Sequence, residues 1–198
     1  MIRRNVLLLI PAAAALPLAG CVSFGPKPPP TLMALSATTP LTAGPARTTI
    51  DKSAVAVAVP TVIPALATTR VMVAAGPNAV AYLKDAAWSA PPGQLFRSLL
   101  AETITVRTGR VVPDPRLLAT QPDTRVSGQL SAFGLDGAGM AVLVTFDGAI
   151  SRTGSDQLQT RRFSARVPVS AEDSASVAAA INQAANQVAG EVADWVGQ

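Results

Sequence analysis

The sequence predicts an α+β domain: two layers, a mostly antiparallel sheet packed against two helices, one central and one long and C-terminal. Three observations carry this. Val177, Ile181, Ala184, Val188, Val192 and Trp195 recur at steps of three and four, the stripe of an amphipathic helix. Three segments between Thr124 and Val167 alternate apolar and polar residues and are separated by glycine-containing turns. A helical pattern running from Gln94 to Thr108 lies between two groups of strands.

The elements follow in order. Ser53 to Val59 reads as a strand with Val55, Val57 and Val59 on one face, stopped by Pro60. Arg70–Ala74 and Ala79–Leu83 flank Gly76-Pro77-Asn78, a hairpin signal. Pro91-Pro92-Gly93 ends the next loop. The helix after it carries Leu95, Phe96, Leu99, Leu100, Ile104 and Val106, with Gly109 as C-cap. The strands Thr124–Phe133, Met140–Ile150 and Leu158–Val167 then form an antiparallel meander with one buried side. Met140, Val142, Val144 and Phe146 share one face; Phe163, Ala165, Val167 and Val169 share another. Ser170 as N-cap and Asp173 three residues on resemble a capping box at the start of the last helix.

Composition excludes several chemistries. The chain of 198 residues has no histidine and one cysteine. A Ser-His-Asp triad, a Cys-His dyad and His-ligated metal sites are ruled out. So are an internal disulfide and a multi-cysteine metal site. The formal charge of +4 includes Arg3 and Arg4 and falls to about +2 without them, too little to argue for nucleic acid.

The N-terminus reads as a targeting segment. Arg3 and Arg4 precede an apolar run, Val6 to Leu16, that is short of the roughly 20 residues a spanning helix needs. Leu18-Ala19-Gly20-Cys21 then resembles the bacterial lipoprotein processing motif at every position. The resemblance implies a signal peptide over residues 1–20 and a diacylglyceryl thioether on Cys21, with a further acyl chain on its freed amine. Two or more chains make a stable anchor, at about 0.8 kcal/mol per buried CH₂. Val22 replaces the aspartate that retains many such proteins at the inner membrane, which favours the outer membrane. The alternative for Cys21 is a free buried or reactive thiol. Residues 21–31 follow as a proline-rich tether, extended at ~3 Å per residue and reaching roughly 20–30 Å from the lipid. Residues 32–198 form a single domain.

Candidate sites are few. Gly134 to Gly139 lacks the phosphate-cradling pattern and reads as a hairpin loop. Asp136 and Asp147 could meet across a hairpin, but nothing forces it, and turn-forming or solvated acids are the favoured reading. A Ser-Lys dyad has only Lys27, Lys52 and Lys84 to draw on, none well placed. No catalytic and no metal-binding residue is assigned. Arg152, Arg161, Arg162 and Arg166 cluster, with Arg162 and Arg166 directed away from the Phe163 face. A solvated sheet face is one reading, and an acidic partner or anionic lipid is the other. Tyr82 and Trp88 are read either as packing a loop over the sheet or as an exposed partner surface.

The order of these features resembles the ABC-type transport auxiliary lipoprotein family, the lipoprotein component of envelope systems containing mammalian-cell-entry (MCE) proteins. The matching pieces are the motif at Cys21, Thr69-Arg70-Val71, Ala81-Tyr82, Ala87-Trp88 followed by Pro91-Pro92, and Leu95-Phe96-Leu99-Leu100. Ser131-Ala132-Phe133 and the C-terminal helix with Trp195 complete the series. The tether and the loop Ser36–Lys52 depart from it. The resemblance implies a non-enzymatic, periplasm-facing accessory that docks on an MCE protein and its ABC subunits, with Arg70, Tyr82 and Trp88 at the contact. The cargo is phospholipid or another hydrophobic molecule. It implies no cofactor beyond the covalent acyl groups on Cys21, no nucleic acid, and scope for a homo-oligomer. The competing readings are a stand-alone lipid carrier with an apolar cavity and a serine hydrolase of the envelope.

The lipidation expectation has a direct check. Cys21→Ser removes the only acyl acceptor of this kind. The intact mass of the membrane-derived protein then loses the diacylglyceryl increment, and the protein moves from the detergent phase to the aqueous phase.

Overall fold

The chain enters the sheet through two short strands, β1 (Val55–Val57) and β2 (Thr61–Val62), followed by a 3-10 turn at Pro64–Leu66. A hairpin, β3 (Arg70–Gly76) and β4 (Ala79–Ala87), leads into α1 (Pro92–Thr108). Three long strands follow, β5 (Thr124–Asp136), β6 (Ala141–Arg152) and β7 (Leu158–Pro168), and then α2 (Ser174–Val196). The computed structural model describes residues 31–44, 47–50, 53–117 and 121–198. The signal peptide, Cys21 and the tether through residue 30 lie outside the described residues, as do Lys27 and Lys52.

The fold is α+β, with an open mixed sheet of seven strands and two helices. The main path is β4-β3-β5-β6-β7, and β1 and β2 also pair with β5. The expected antiparallel meander holds for β5, β6 and β7. On its other edge β5 pairs parallel with β1, β2 and β3 in succession. The helix α1 separates β4 from β5, so no hairpin forces those two strands together, and β5 lies beside β3 instead.

Both helices cover one face of the sheet. The predicted stripe of α2 is buried: Val177, Ile181, Ala184, Val188 and Val192 are fully inaccessible, and Trp195 is nearly so. Each Val or Ile buried in this way contributes about 1.5–3 kcal/mol. Against the stripe stand Phe133, Phe146 and Phe163 of the three long strands. Phe96 of α1 packs on Phe133 and Phe146 at 6.3 and 5.4 Å between ring centroids, and Trp195 packs on Phe163 at 5.4 Å. Gly109 ends α1 with φ of 72°, a left-handed conformation suited to glycine.

Four details differ from the sequence reading. Val55, Ala56 and Val57 are all buried rather than alternating, because β1 is a parallel strand covered on both faces, while Val59 is exposed. Met140 does not share the face of Val142. It sits in the β5–β6 turn with φ of 42° and is part-exposed. The turn itself is confined to residues 137–140, and Gly134 remains in β5. The N-cap of α2 is Asp173, not Ser170. Its carboxylate accepts from the backbone N–H of Ala175 and of Ser176. Val169 still donates to the carbonyl of Met140, so the chain leaves the sheet too late for Ser170 to start a helix.

The segment 33–41 is a strap over the helices. Met33 forms a bridge beside Trp88: its N–H donates to the carbonyl of Ala87, and the N–H of Ser89 donates to its carbonyl, both at 2.8 Å. The N–H of Ser36 then donates to Asn182 Oδ1 and the N–H of Thr38 to Asn186 Oδ1, on consecutive turns of α2. Asn186 Nδ2 returns a bond to the carbonyl of Ser36. Leu41 N–H finally donates to Glu102 Oε1 on α1.

Asn186→Ala removes two of these strap bonds. We expect a loss of about 1–3 kcal/mol, together with faster proteolytic cleavage between residues 33 and 44. Equilibrium denaturation and timed proteolysis of the same sample measure the two effects.

Candidate functional site

The helices leave the opposite face of the sheet free, apart from its β3 end, where the 3-10 turn at Pro64–Leu66 packs and Met72 is buried; two groups of functional candidates lie on this face. The first is at the β3–β4 end. Register places Tyr82 opposite Met72, Met72 opposite Gly134, Gly134 opposite Leu143 and Leu143 opposite Arg166, all on this one face. The guanidinium of Arg70 stacks on the Tyr82 ring at 4.0 Å from its centroid. The Tyr82 hydroxyl donates to the carbonyl of Ala65 in the 3-10 turn at 3.3 Å. The ring is thus held between a cation and a backbone turn, half-buried, with Arg70 exposed beside it.

Trp88 is elsewhere, and the expectation of an exposed Trp88 is corrected. It is 2% accessible and packs on Phe133 at 5.3 Å, under the helix layer. Tyr82 and Trp88 are six residues apart, which in a regular strand would put them on the same face. The pairing slips between Arg70↔Ala87 and Met72↔Tyr82, an odd shift of three residues. Asp85 lies within the slip with φ of 53°. The bulge turns Trp88 inward and leaves Tyr82 outward. The structure therefore brings Arg70 and Tyr82 together and separates Trp88 from them.

The second group is on β5, β6 and β7. Arg162 and Arg166 project onto the open face as expected, and each has a carboxylate. Arg162 makes a bidentate pair with Asp147, whose other donor is the Ser131 hydroxyl at 2.9 Å. Arg166 pairs with Asp136 at 2.8 Å, and the Gly139 N–H donates to the same carboxylate. A Cβ at Gly139 would meet the Arg166 guanidinium and the Asp136 carboxylate, so a side chain there would displace this pair. Arg161 is on the helix side, over the Phe163 ring at 4.9 Å. Asp136 and Asp147 do not meet; each is taken by its own arginine. The Arg166 guanidinium holds the Asp136 carboxyl below the usual carboxylate range, and Arg162 does the same for Asp147. Both remain ionised near neutrality and have no proton to give as general acids.

Among the described residues no cluster of His, Cys, Asp and Glu fits a metal ion, and no helix is long and apolar enough to cross a membrane. Lys84 is exposed on β4. A groove of 310 Å³ lies where the strap crosses the two helices, lined by Thr38, Thr103, Arg107, Asn186 and Gly190 among others. Arg107 of this lining is paired with Asp194. The strap anchors Asn182, Asn186 and Glu102 were missed in the sequence. The only signal was a pair of asparagines at i and i+4 on a helix otherwise rich in Ala and Val.

These features define an α+β domain with its helices on one face, a helix-free face on the other, and an N-terminal strap crossing both helices. A family model described as the ABC-type transport auxiliary lipoprotein component matches residues 34–193. The chain belongs to that family, whose members are lipoprotein components of transport systems and hence of the cell envelope. The fold is similar to the crystal structure of a Xanthomonas campestris protein of the DUF330 family, with TM-score 0.66 and 23% identity over 83% of this chain and 94% of that one. A second solved structure, titled as an uncharacterized protein, gives TM-score 0.64 and 16% identity over 84% of this chain and 99% of that one. At these identities the likeness concerns the fold alone. No match was found among curated proteins.

The two ion pairs have a defined pH response. Both carboxyls are depressed, so the pairs are intact above the ordinary aspartate value of about 3.9 and break only as pH falls through the lower folded-state value. Carboxyl carbon shifts of Asp136 and Asp147, followed by NMR, should reach their titration midpoints at a lower pH than those of an ordinary aspartate. In Arg162→Gln the Asp147 titration alone should move up to the ordinary range.

Proposed function

We propose that this protein is a non-enzymatic accessory of an ABC-type transport system, held at the envelope by acyl chains on Cys21 and docking to an MCE-domain partner. The observation that carries the reading is the open sheet face, where the Arg70–Tyr82 stack offers a fixed, half-exposed aromatic and cation. Aromatic and Arg residues of this kind are enriched where protein surfaces bind one another. Trp88 supports that surface from beneath, by filling the core under β4, and does not touch the partner.

The anchor and the domain fit the same task. The tether reaches the strap at Met33, beside Trp88, so the domain hangs from the β4 side of its sheet. The periplasmic face of the outer membrane is the location proposed for the lipid anchor, and phospholipid or another hydrophobic molecule is the cargo of the assembled system. The alternative of a stand-alone carrier is less well supported. The space between sheet and helices is filled by Phe96, Phe133, Phe146 and Phe163. The 310 Å³ groove is at the low end for a small-ligand pocket, and Thr, Gln, Asn and Arg side chains interrupt its apolar surface.

The test is a mild-detergent pull-down of the full-length lipoprotein from its own membranes. Recovery of an MCE-domain protein with ABC subunits is expected, falling at least several-fold for Arg70→Glu and Tyr82→Ala at unchanged bait level. Recovery of the bait alone with excess phospholipid would overturn docking in favour of the carrier.

A further inference from the structure

We propose that the outer edge of β7 accepts an extended, acidic segment of a protein partner as an additional strand. This edge is distinct from the Arg70–Tyr82 surface, and the inference does not depend on it.

The first observation is the backbone. The N–H of Val169 donates to the carbonyl of Met140, which makes 140 and 169 a hydrogen-bonded pair. The β6–β7 register is unbroken from Ala141↔Pro168 to Ser151↔Leu158. In an antiparallel ladder, bonded and non-bonded pairs alternate. Val167, Ala165, Phe163 and Arg161 therefore bond to β6. Thr160, Arg162, Ser164 and Arg166 turn their N–H and C=O groups outward. Pro168, which has no N–H, falls in the outward set, where a proline is tolerated. Among the described residues no strand pairs with this side of β7.

The second observation is the contrast with the opposite edge. On β4 the register slips twice against β3, Asp85 adopts a left-handed conformation, and Met33 covers the end. Such devices prevent pairing with another chain. β7 runs 11 residues with neither bulge nor cover.

The third observation selects the occupant. The charged side chains of β7 are Arg161, Arg162 and Arg166. Arg162 and Arg166 pair with Asp147 and Asp136 yet remain 70% and 49% exposed, open to a second carboxylate, and Arg161 has no carboxylate partner among the described residues. A new strand sets its side chains directly opposite these, where opposite charges stabilise and like charges destabilise. An acidic strand is favoured on both faces, Arg161 on the helix side and Arg162 and Arg166 on the open side. A second copy pairing through its own β7 would gather six arginines in one ladder. The tether of this chain is rich in proline and carries Lys27 as its only charge, so it cannot serve as the strand. Addition of an extended segment to a sheet edge is a general mode of peptide recognition.

The test uses the full-length lipoprotein in detergent micelles and two synthetic nonapeptides. One alternates Val or Thr with Glu, and the other has Lys in place of every Glu. Amide hydrogen exchange is read at Thr160, Arg162, Ser164 and Arg166. The Glu peptide should slow exchange at these four amides at least tenfold and leave the β4 amides unchanged, and the Lys peptide should have no effect. Ser164→Pro, which removes one outward N–H, should abolish the protection. Ser164→Ala, which loses only the hydroxyl contact with Thr145, should retain it. Absence of protection with millimolar Glu peptide overturns the proposal, as does equal protection by both peptides or insensitivity to Ser164→Pro. Protection that rises with protein concentration and without peptide assigns the edge to a second copy and also overturns it.

Discussion

The double pairing of β5 is the constraint on which the rest of the structure depends. Along one edge it pairs with β6 from Thr124↔Arg152 to Asp136↔Ala141, with one register shift between Leu130 and Ala132. Along the other it takes β1, β2 and β3 in parallel, each over two or three residues. A buried strand must satisfy its backbone groups on both sides, and three short strands in sequence do so here. Two arginines fix that junction. Arg97 donates to the carbonyls of Val57 and Pro113, and Arg110 donates to those of Ser53 and Ala54 and to the Thr124 hydroxyl. The depressed pKa of Arg110 follows first from its burial.

The placement of β5 makes the two faces unequal. One face receives Phe133, Phe146 and Phe163 and is closed by both helices. The other presents a mixture of small, polar and ion-paired residues, with the Arg162–Asp147 pair joining β7 to β6 and the Arg166–Asp136 pair reaching from β7 to the end of β5. Exposed pairs of this type add little to stability. Their effect is to hold arginine side chains flat against an open face rather than leave them extended in solvent.

The strap gives the domain an orientation. It crosses from the β4 edge over α2 to α1, and it is anchored by side chains of both helices. In the proposed function, tension on the acyl anchor would be delivered to Met33 and the end of β4, next to the Arg70–Tyr82 stack. The far edge, β7, is the part of the sheet most remote from this attachment in strand order.

Much of this was legible in the sequence. The α2 stripe, the hairpin at Pro77-Asn78, the C-cap at Gly109 and the outward projection of Arg162 and Arg166 all follow from local periodicity, which is written in consecutive residues. What only tertiary structure decided has a common cause. Parallel pairing of β1, β2 and β3 with β5 joins residues some sixty positions apart and leaves no local signal. The bulge at Asp85 sends Trp88 into the core and Tyr82 to the surface, because an odd slip in register exchanges the faces for every residue beyond it. Asn182 and Asn186 read as solvated helix residues until the strap, nearly 150 positions away in the chain, lies over them. Side-chain periodicity determines which face of an element is apolar. Only the assembled sheet determines which partner covers it.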